Sequence, residues 1–181
     1  MITVDFKDIQ QFTRSGDWEC TYRLDGFVNQ IREFVNQGLE LNPDFQRGHV
    51  WTEQQQIAFV EYVLRGGKSG LVVYLNDPNW TSTSTKPSDT GFTCVDGLQR
   101  ITAVTKFVDD EIPAFGYLCS EFTGKMHVCT QTMRINVNNL PTRADVLRWY
   151  LEMNSGGTPH TESELERVRG LLELAKAGGV E

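Results

Sequence analysis

Phe92-Thr93-Cys94-Val95-Asp96-Gly97-Leu98-Gln99-Arg100-Ile101-Thr102-Ala103-Val104 changes its period at Asp96-Gly97. Before the Gly, the short apolar run Phe92–Val95 reads as a strand. After it, Leu98, Ile101, Val104, Thr105 and Val108 recur at helical spacing. The stretch therefore predicts a strand-to-helix turn, with Gln99 and Arg100 in the opening turn of the helix. Backbone N–H groups and the positive end of the helix dipole converge there, which favours an anion. Arg100 adds a planar fork of donors that matches phosphate oxygens, and Gln99 can orient a second oxygen or a water.

Upstream lies a second cluster ending in Gln-Arg, Asp44-Phe45-Gln46-Arg47. Leu39-Glu40-Leu41-Asn42-Pro43 leads into it and reads as extended, because a residue before Pro avoids the α region. The cluster thus falls on a strand or loop just before the next helix. Thr52 with Gln55 predicts a capping box that opens that helix. Ile57, Val60, Val63 and Leu64 give its apolar face, and Gly66-Gly67 ends it.

Other elements follow from the same rules. Leu24, Phe27, Val28, Ile31, Phe34 and Val35 predict an amphipathic helix over about 24–37, stopped by Gly38. Leu71–Leu75 reads as a buried strand. Residues 76–91 read as a long surface loop, being rich in Pro, Ser, Thr and Asp without periodicity. Met126 with Val128, and Met133, Ile135 and Val137, predict one or two strands. Thr142 with Asp145 caps a helix running to Asn154-Ser155-Gly156-Gly157. Thr161 with Glu164 opens a last helix through about Ala175, and the tail beyond Ala177 frays. Irregularly mixed strands and helices predict an α+β domain rather than a doubly wound parallel sheet.

The chain has 181 residues, of which 39% are hydrophobic and 10% aromatic, enough for a real core. A formal net charge of -7 argues against a protein that coats nucleic acid non-specifically, but not against a local basic cleft. Cys20, Cys94, Cys119 and Cys129 form no Cys-x-x-Cys pair, and His49, His127 and His160 lack zinc spacing. No signal peptide and no membrane span are expected, and free thiols fit a reducing, cytoplasmic setting.

One tempting motif fails. Gly66-Gly67-Lys68-Ser69-Gly70 resembles a fragment of a phosphate-binding loop, but Tyr62 occupies the position where the full loop needs its first Gly. A helix precedes and a strand follows, the reverse of the required order. The stretch reads as a helix C-terminal turn.

Each candidate carries a bland reading beside the functional one. Arg47 either holds phosphate or pins a loop to Asp44 or Glu53. Arg100 either holds phosphate or steadies the Asp96 turn. Asp96 is a helix cap, a magnesium ligand or a base that orients water. Asn154 by itself is a helix terminator. Trp51 reads as core rather than as a stacking surface, and His49 and His160 as solvent-facing.

The order Asn42-Pro43-Asp44-Phe45-Gln46-Arg47-Gly48-His49-Val50-Trp51, Asp96-Gly97-Leu98-Gln99-Arg100-Ile101-Thr102 and Asn154-Ser155-Gly156-Gly157 resembles the N-terminal domain of GmrSD-type restriction endonucleases. That family is a branch of the ParB/sulfiredoxin-like superfamily. Its pattern runs Pro-x-Phe-Gln-Arg-x-x-x-Trp, Asp-Gly-x-Gln-Arg-x-Thr and Asn-x-x-Gly. His49 stands where the family often has Tyr. The resemblance implies an α+β, ParB-like small mixed sheet packed with helices, as a single domain over 1–181, with a core over about 24–140 and C-terminal helices over about 142–176.

It also implies a nucleotide pocket built from the two Gln-Arg motifs. Asp96, Gln99, Arg100 and Arg47 would be catalytic, with magnesium on Asp96. Gln46, Phe45, Gly97, Thr102 and Asn154 would bind substrate. No zinc, haem or flavin is expected. The implied activity is hydrolysis or transfer of phosphate from a nucleoside triphosphate, in a restriction-modification or phage-defence setting in a bacterial or phage-infected cell. Alternatives are a non-catalytic nucleotide- or DNA-sensing module, a phage-encoded inhibitor of a host defence complex, and a DNA-base hypermodification enzyme. Expected partners are a nucleoside triphosphate, modified DNA, a defence-system protein or a second copy of the chain. Cleavage of DNA by this polypeptide alone is not expected, since the family's nuclease region of His-Asn-His type lies downstream.

Overall fold

A computed structural model describes residues 18–46, 48, 50–80, 90–123, 131–155 and 162–178. In chain order the elements are β1 (Trp18–Arg23), α1 (Leu24–Asn36), α2 (Glu53–Leu64), β2 (Val72–Asn76), β3 (Thr93–Asp96), α3 (Leu98–Val108), β4 (Thr132–Asn138), α4 (Arg143–Ser155) and α5 (Glu162–Gly178). The strands form a four-stranded sheet in the order β1-β4-β2-β3. The central pair β2 and β4 is parallel, and both flanking pairs are antiparallel. This mixed sheet with helices is the α+β class expected.

α1 buries Leu24, Phe27, Val28, Ile31 and Phe34 along one stripe, against β1, β4 and α3. It ends at Asn36, and Gly38 supplies the φ of +100° that turns the chain out of the helix. The capping box on α2 is formed as expected. Thr52 Oγ1 accepts from Gln55 N at 3.3 Å, and Gln55 Oε1 accepts from Thr52 N at 2.9 Å. α3 spans the residues its periodicity indicated, and β2 and β3 each start one residue later than the apolar run.

β1 is the element the sequence reading passed over. Trp18–Arg23 alternates apolar and polar residues, and its exposure alternates in step. It pairs with β4 from Trp18 opposite Val137 to Arg23 opposite Thr132. The expected strand at 126–128, most of the expected loop, and Thr161 of the last capping box lie outside the described residues.

Two apolar clusters divide the interior. The larger joins α1, α2, α3 and the inner face of the sheet, around Phe27, Val73, Ile135 and Phe107. The smaller joins α4 and α5 to the sheet's other face through Phe45, Val95, Leu147, Tyr150 and Val168. Phe45 packs edge-on to Tyr150 with ring centroids 5.2 Å apart. The start of β3 also receives the lead-in to the first Gln-Arg cluster. Glu40 N donates to Phe92 O and Cys94 N donates to Glu40 O, each at 2.9 Å. That ladder brings residues 43–46 alongside the Asp96 turn.

Candidate functional site

The strand-to-helix turn is fixed by Gly97. Its φ of +130° lies where side chains are strained, and an added Cβ would sit 2.6 Å from Val73 Cγ1 and 3.2 Å from Val73 Cα. The turn therefore presses directly onto β2. Arg100, one helical turn on, is held from three sides. Its Nη2 donates to Asp96 Oδ2, and its Nη1 donates to Val72 O at 2.6 Å and Gly70 O at 3.2 Å. The Arg100 side chain is 15% exposed and that of Asp96 is 40% exposed. The arginine thus ties α3 to the start of β2, and it orients a carboxylate that still meets solvent.

The two glutamines lock the clusters together. Gln46 Nε2 donates to Val95 O at 2.8 Å and to Cys94 O at 3.2 Å, just before the Asp96 turn. Gln99 reaches the other way. Its Oε1 accepts from Val50 N at 3.2 Å and Trp51 N at 3.1 Å, and its Nε2 donates to Gly48 O at 2.5 Å. Each cluster's amide therefore grips the backbone of the other. An amide suits this because it carries both a donor and an acceptor on one rigid plane.

Between the clamped clusters opens a cleft of about 470 Å³. The Asp96–Arg100 turn and Gln46 form its floor. Trp51, Phe59 and Tyr62 form one wall, Ser69 and Gly70 another, and Tyr150, Met153 and Asn154 of α4 the third. Arg100 is the one cation among the described lining residues. Trp51 and Phe59 are tilted against each other with centroids 5.4 Å apart, so Trp51 both packs on the core and faces the cleft.

The family described as GmrSD restriction endonuclease, N-terminal domain, matches residues 27–126, more than half of the chain. The chain belongs to the GmrSD N-terminal domain family. No curated protein and no solved structure gives a significant match. The matched span holds both Gln-Arg clusters and ends before β4, α4 and α5. This GmrSD-family cleft therefore takes one of its walls from beyond the matched region.

Of the residues singled out in sequence, Gln46, Asp96, Gly97, Gln99, Arg100 and Asn154 line this cleft together. Arg47 and His49 lie outside the described residues. Two candidates sit elsewhere. Phe45 is 2% exposed and belongs to the core beneath α4 and α5. Thr102 points away on the far side of α3, where its hydroxyl donates to Leu98 O and it lines a separate groove against α1. Phe45 thus packs in the core and Thr102 sits on the helix surface facing α1, and neither is among the cleft's lining residues. Helical geometry explains the second case: a residue two positions after Arg100 points well away from it.

The turn dismissed as bland is part of the wall. Tyr62 Oη and Ser69 Oγ are 2.6 Å apart, and Ser69 N donates to Tyr62 Oη at 2.8 Å. These hydrogen bonds, the side-chain one first, hold the Tyr62 phenol below its usual pKa. Gly67 has no room for a Cβ, which would fall 2.3 Å from the Tyr62 ring. Behind the site, burial foremost and then the charge of Asp96 push the Cys94 thiol up to about 12. Cys94 is a packing residue, not a nucleophile. Among the described residues no helix is long and apolar enough to cross a membrane, and no three His, Cys, Asp or Glu side chains cluster as a metal site.

Proposed function

We propose that this cleft binds a nucleoside triphosphate with magnesium and hydrolyses it or transfers its phosphate, as part of a restriction or phage-defence function. The observation that carries the reading is the reciprocal glutamine clamp, which holds two distant clusters rigidly around one cleft. Rigid, prepaid positioning is what phosphoryl transfer chiefly asks of a protein. The aromatic wall of Trp51, Phe59 and Tyr62 offers a nucleobase a stacking surface.

Asp96 is the one carboxylate among the described lining residues, and it remains 40% exposed. A lone carboxylate suits magnesium, which takes one or two carboxylates together with substrate phosphates rather than a full protein cage. Asp96 would hold the ion, which when bound neutralises charge developing on the phosphoryl oxygens. The Arg100 guanidinium fixes which way the carboxylate faces. Asn154 and Gln46, whose amide nitrogens already donate to backbone carbonyls, offer their side-chain oxygens to ribose hydroxyls. Arg47 would supply the direct cationic contact. We further propose a cytoplasmic site of action, with DNA, a defence-system protein or a second copy of the chain as partner.

A second reading, a nucleotide-responsive module without turnover, is favoured by one observation. Arg100 already spends its donors on Asp96, Val72 and Gly70 rather than offering them to solvent. The test for both is a screen of the four ribonucleoside triphosphates with magnesium, scored for thermal shift and for phosphate release. Phosphate release that Asp96→Asn abolishes while the fold survives supports the enzyme. A thermal shift without release supports the sensor. A flat result in both scores overturns both readings.

A further inference from the structure

We propose that Arg167, on α5 and beyond the family-matched region, is the positioning residue of the first cleft motif; this rests on the nucleotide reading above. Arg167 faces the backbone of the turn that precedes Arg47. Its Nη1 donates to Asp44 O, and its Nη2 donates to Phe45 O at 3.1 Å and Gln46 O at 3.0 Å. Three consecutive carbonyls of one turn thus converge on a single guanidinium. Only a planar fork of donors can span them; a lysine ammonium is a point charge on a flexible stem.

The contact has consequences for the cleft because Gln46 is held at both ends. Its backbone carbonyl is fixed by Arg167, and its side chain grips β3 at Cys94 and Val95. Its own N–H donates back to Pro43 O at 2.9 Å, closing the turn. Arg143, at the start of α4, donates from its Nη2 to both oxygens of the Asp44 carboxylate, at 2.6 and 2.7 Å. That pair grips a side chain and leaves the backbone geometry to Arg167. Arg167 itself does not line the cleft. It acts through the motif, so α5 sets the shape of a site it does not touch. The first cluster thus needs a helix from outside the family-matched span to be correctly posed.

The test compares Arg167→Ala and Arg167→Lys with Leu172→Ala, which weakens α5 packing without touching the carbonyls. With magnesium and the nucleotide found in the screen, Arg167→Ala is expected to raise KM about ten-fold with kcat nearly unchanged. Arg167→Lys should fall between it and the parent. Leu172→Ala should lower Tm more than Arg167→Ala does, yet leave KM alone. If KM follows Tm across all three variants, or if Arg167→Ala leaves KM unmoved, the positioning role is overturned. Hydrogen exchange on the ligand-free chain separates this proposal from the nucleotide reading. Faster exchange at the Gln46 and Trp51 amides in Arg167→Ala than in Leu172→Ala, with no nucleotide bound or turned over by any form, sustains the positioning role and sinks only the nucleotide reading. Unchanged exchange at those amides sinks the positioning role whatever the nucleotide result.

Discussion

The two Gln-Arg clusters read alike in sequence, yet they are built in opposite ways. The second is held locally. Asp96 and Arg100 are one helical turn apart, Gly97 seats the turn on β2, and the arginine finds its other two acceptors at Val72, the first residue of β2, and at Gly70 just before it. The first is held from a distance. Its carbonyls are gathered by Arg167, its Asp44 by Arg143, and its Phe45 by Tyr150, all from α4 and α5. One half of the cleft is thus determined by short-range geometry and the other by tertiary packing. Local geometry survives a disturbance far away in the chain, whereas a turn held by distant side chains gives way when they do.

The sharpest way to break that contrast is Gly97→Ala. The Cβ meets Val73 and the positive φ is strained, so unfolding in urea should show a loss of about 3 kcal/mol, the largest single effect at the cleft. The opposite half offers nothing comparable, because Gly48 has φ of +70° but only one atom near its added Cβ, at 4.0 Å.

Next come the glutamines. Gln46→Ala and Gln99→Ala should each cost about 1–2 kcal/mol, and the double variant should cost less than the sum, since each amide braces the other's cluster. A double-mutant cycle by urea melts measures that coupling; strict additivity would mean the two grips are independent. Thr52→Ala should cost about 1 kcal/mol, by loss of the cap alone. It should leave the Gln99 grip on Val50 and Trp51 intact, which amide exchange at those positions would check.

The effect smallest at neutral pH concerns Cys94, whose carbonyl Gln46 holds. Burial pushes its thiol in the folded chain up to about 12, from the ordinary value of 9.0. A raised folded value means that below pH 9 both states keep the proton and nothing is lost. From there toward 12 the unfolded thiol ionises and the folded one does not. Stability therefore declines across that window, and Cys94→Ala should flatten this part of a pH series of melts.

The same division explains how far the sequence could be read. Everything set by nearest neighbours along the chain was legible: the bounds of α3, the Thr52–Gln55 box, the Gly38 stop and the Asp96 turn. The glutamine grips were not, because a Gln beside an Arg announces a polar role without saying whose backbone it holds. Arg167 carries no local signal; it is one exposed-looking helix position among several until the fold brings it to residues 44–46. Tyr62 and Ser69 were hidden for a different reason. The Gly66–Gly70 turn is not a phosphate-binding loop, and nothing local in it signals that Ser69 pairs with Tyr62, seven residues back, to build a wall. β1 was legible in its strict alternation, yet it runs straight into α1 at Leu24 with no turn residue between the two.

Asn76 adds a last consequence. Fully buried at the end of β2, it offers Oδ1 to Leu140 N at 2.8 Å and its Nδ2 donates to Leu140 O at 3.1 Å, impersonating a peptide unit. The chain leaving β4 is therefore pinned at Leu140, immediately before the segment that becomes α4. The wall that α4 contributes to the cleft therefore starts from a point fixed by one buried amide.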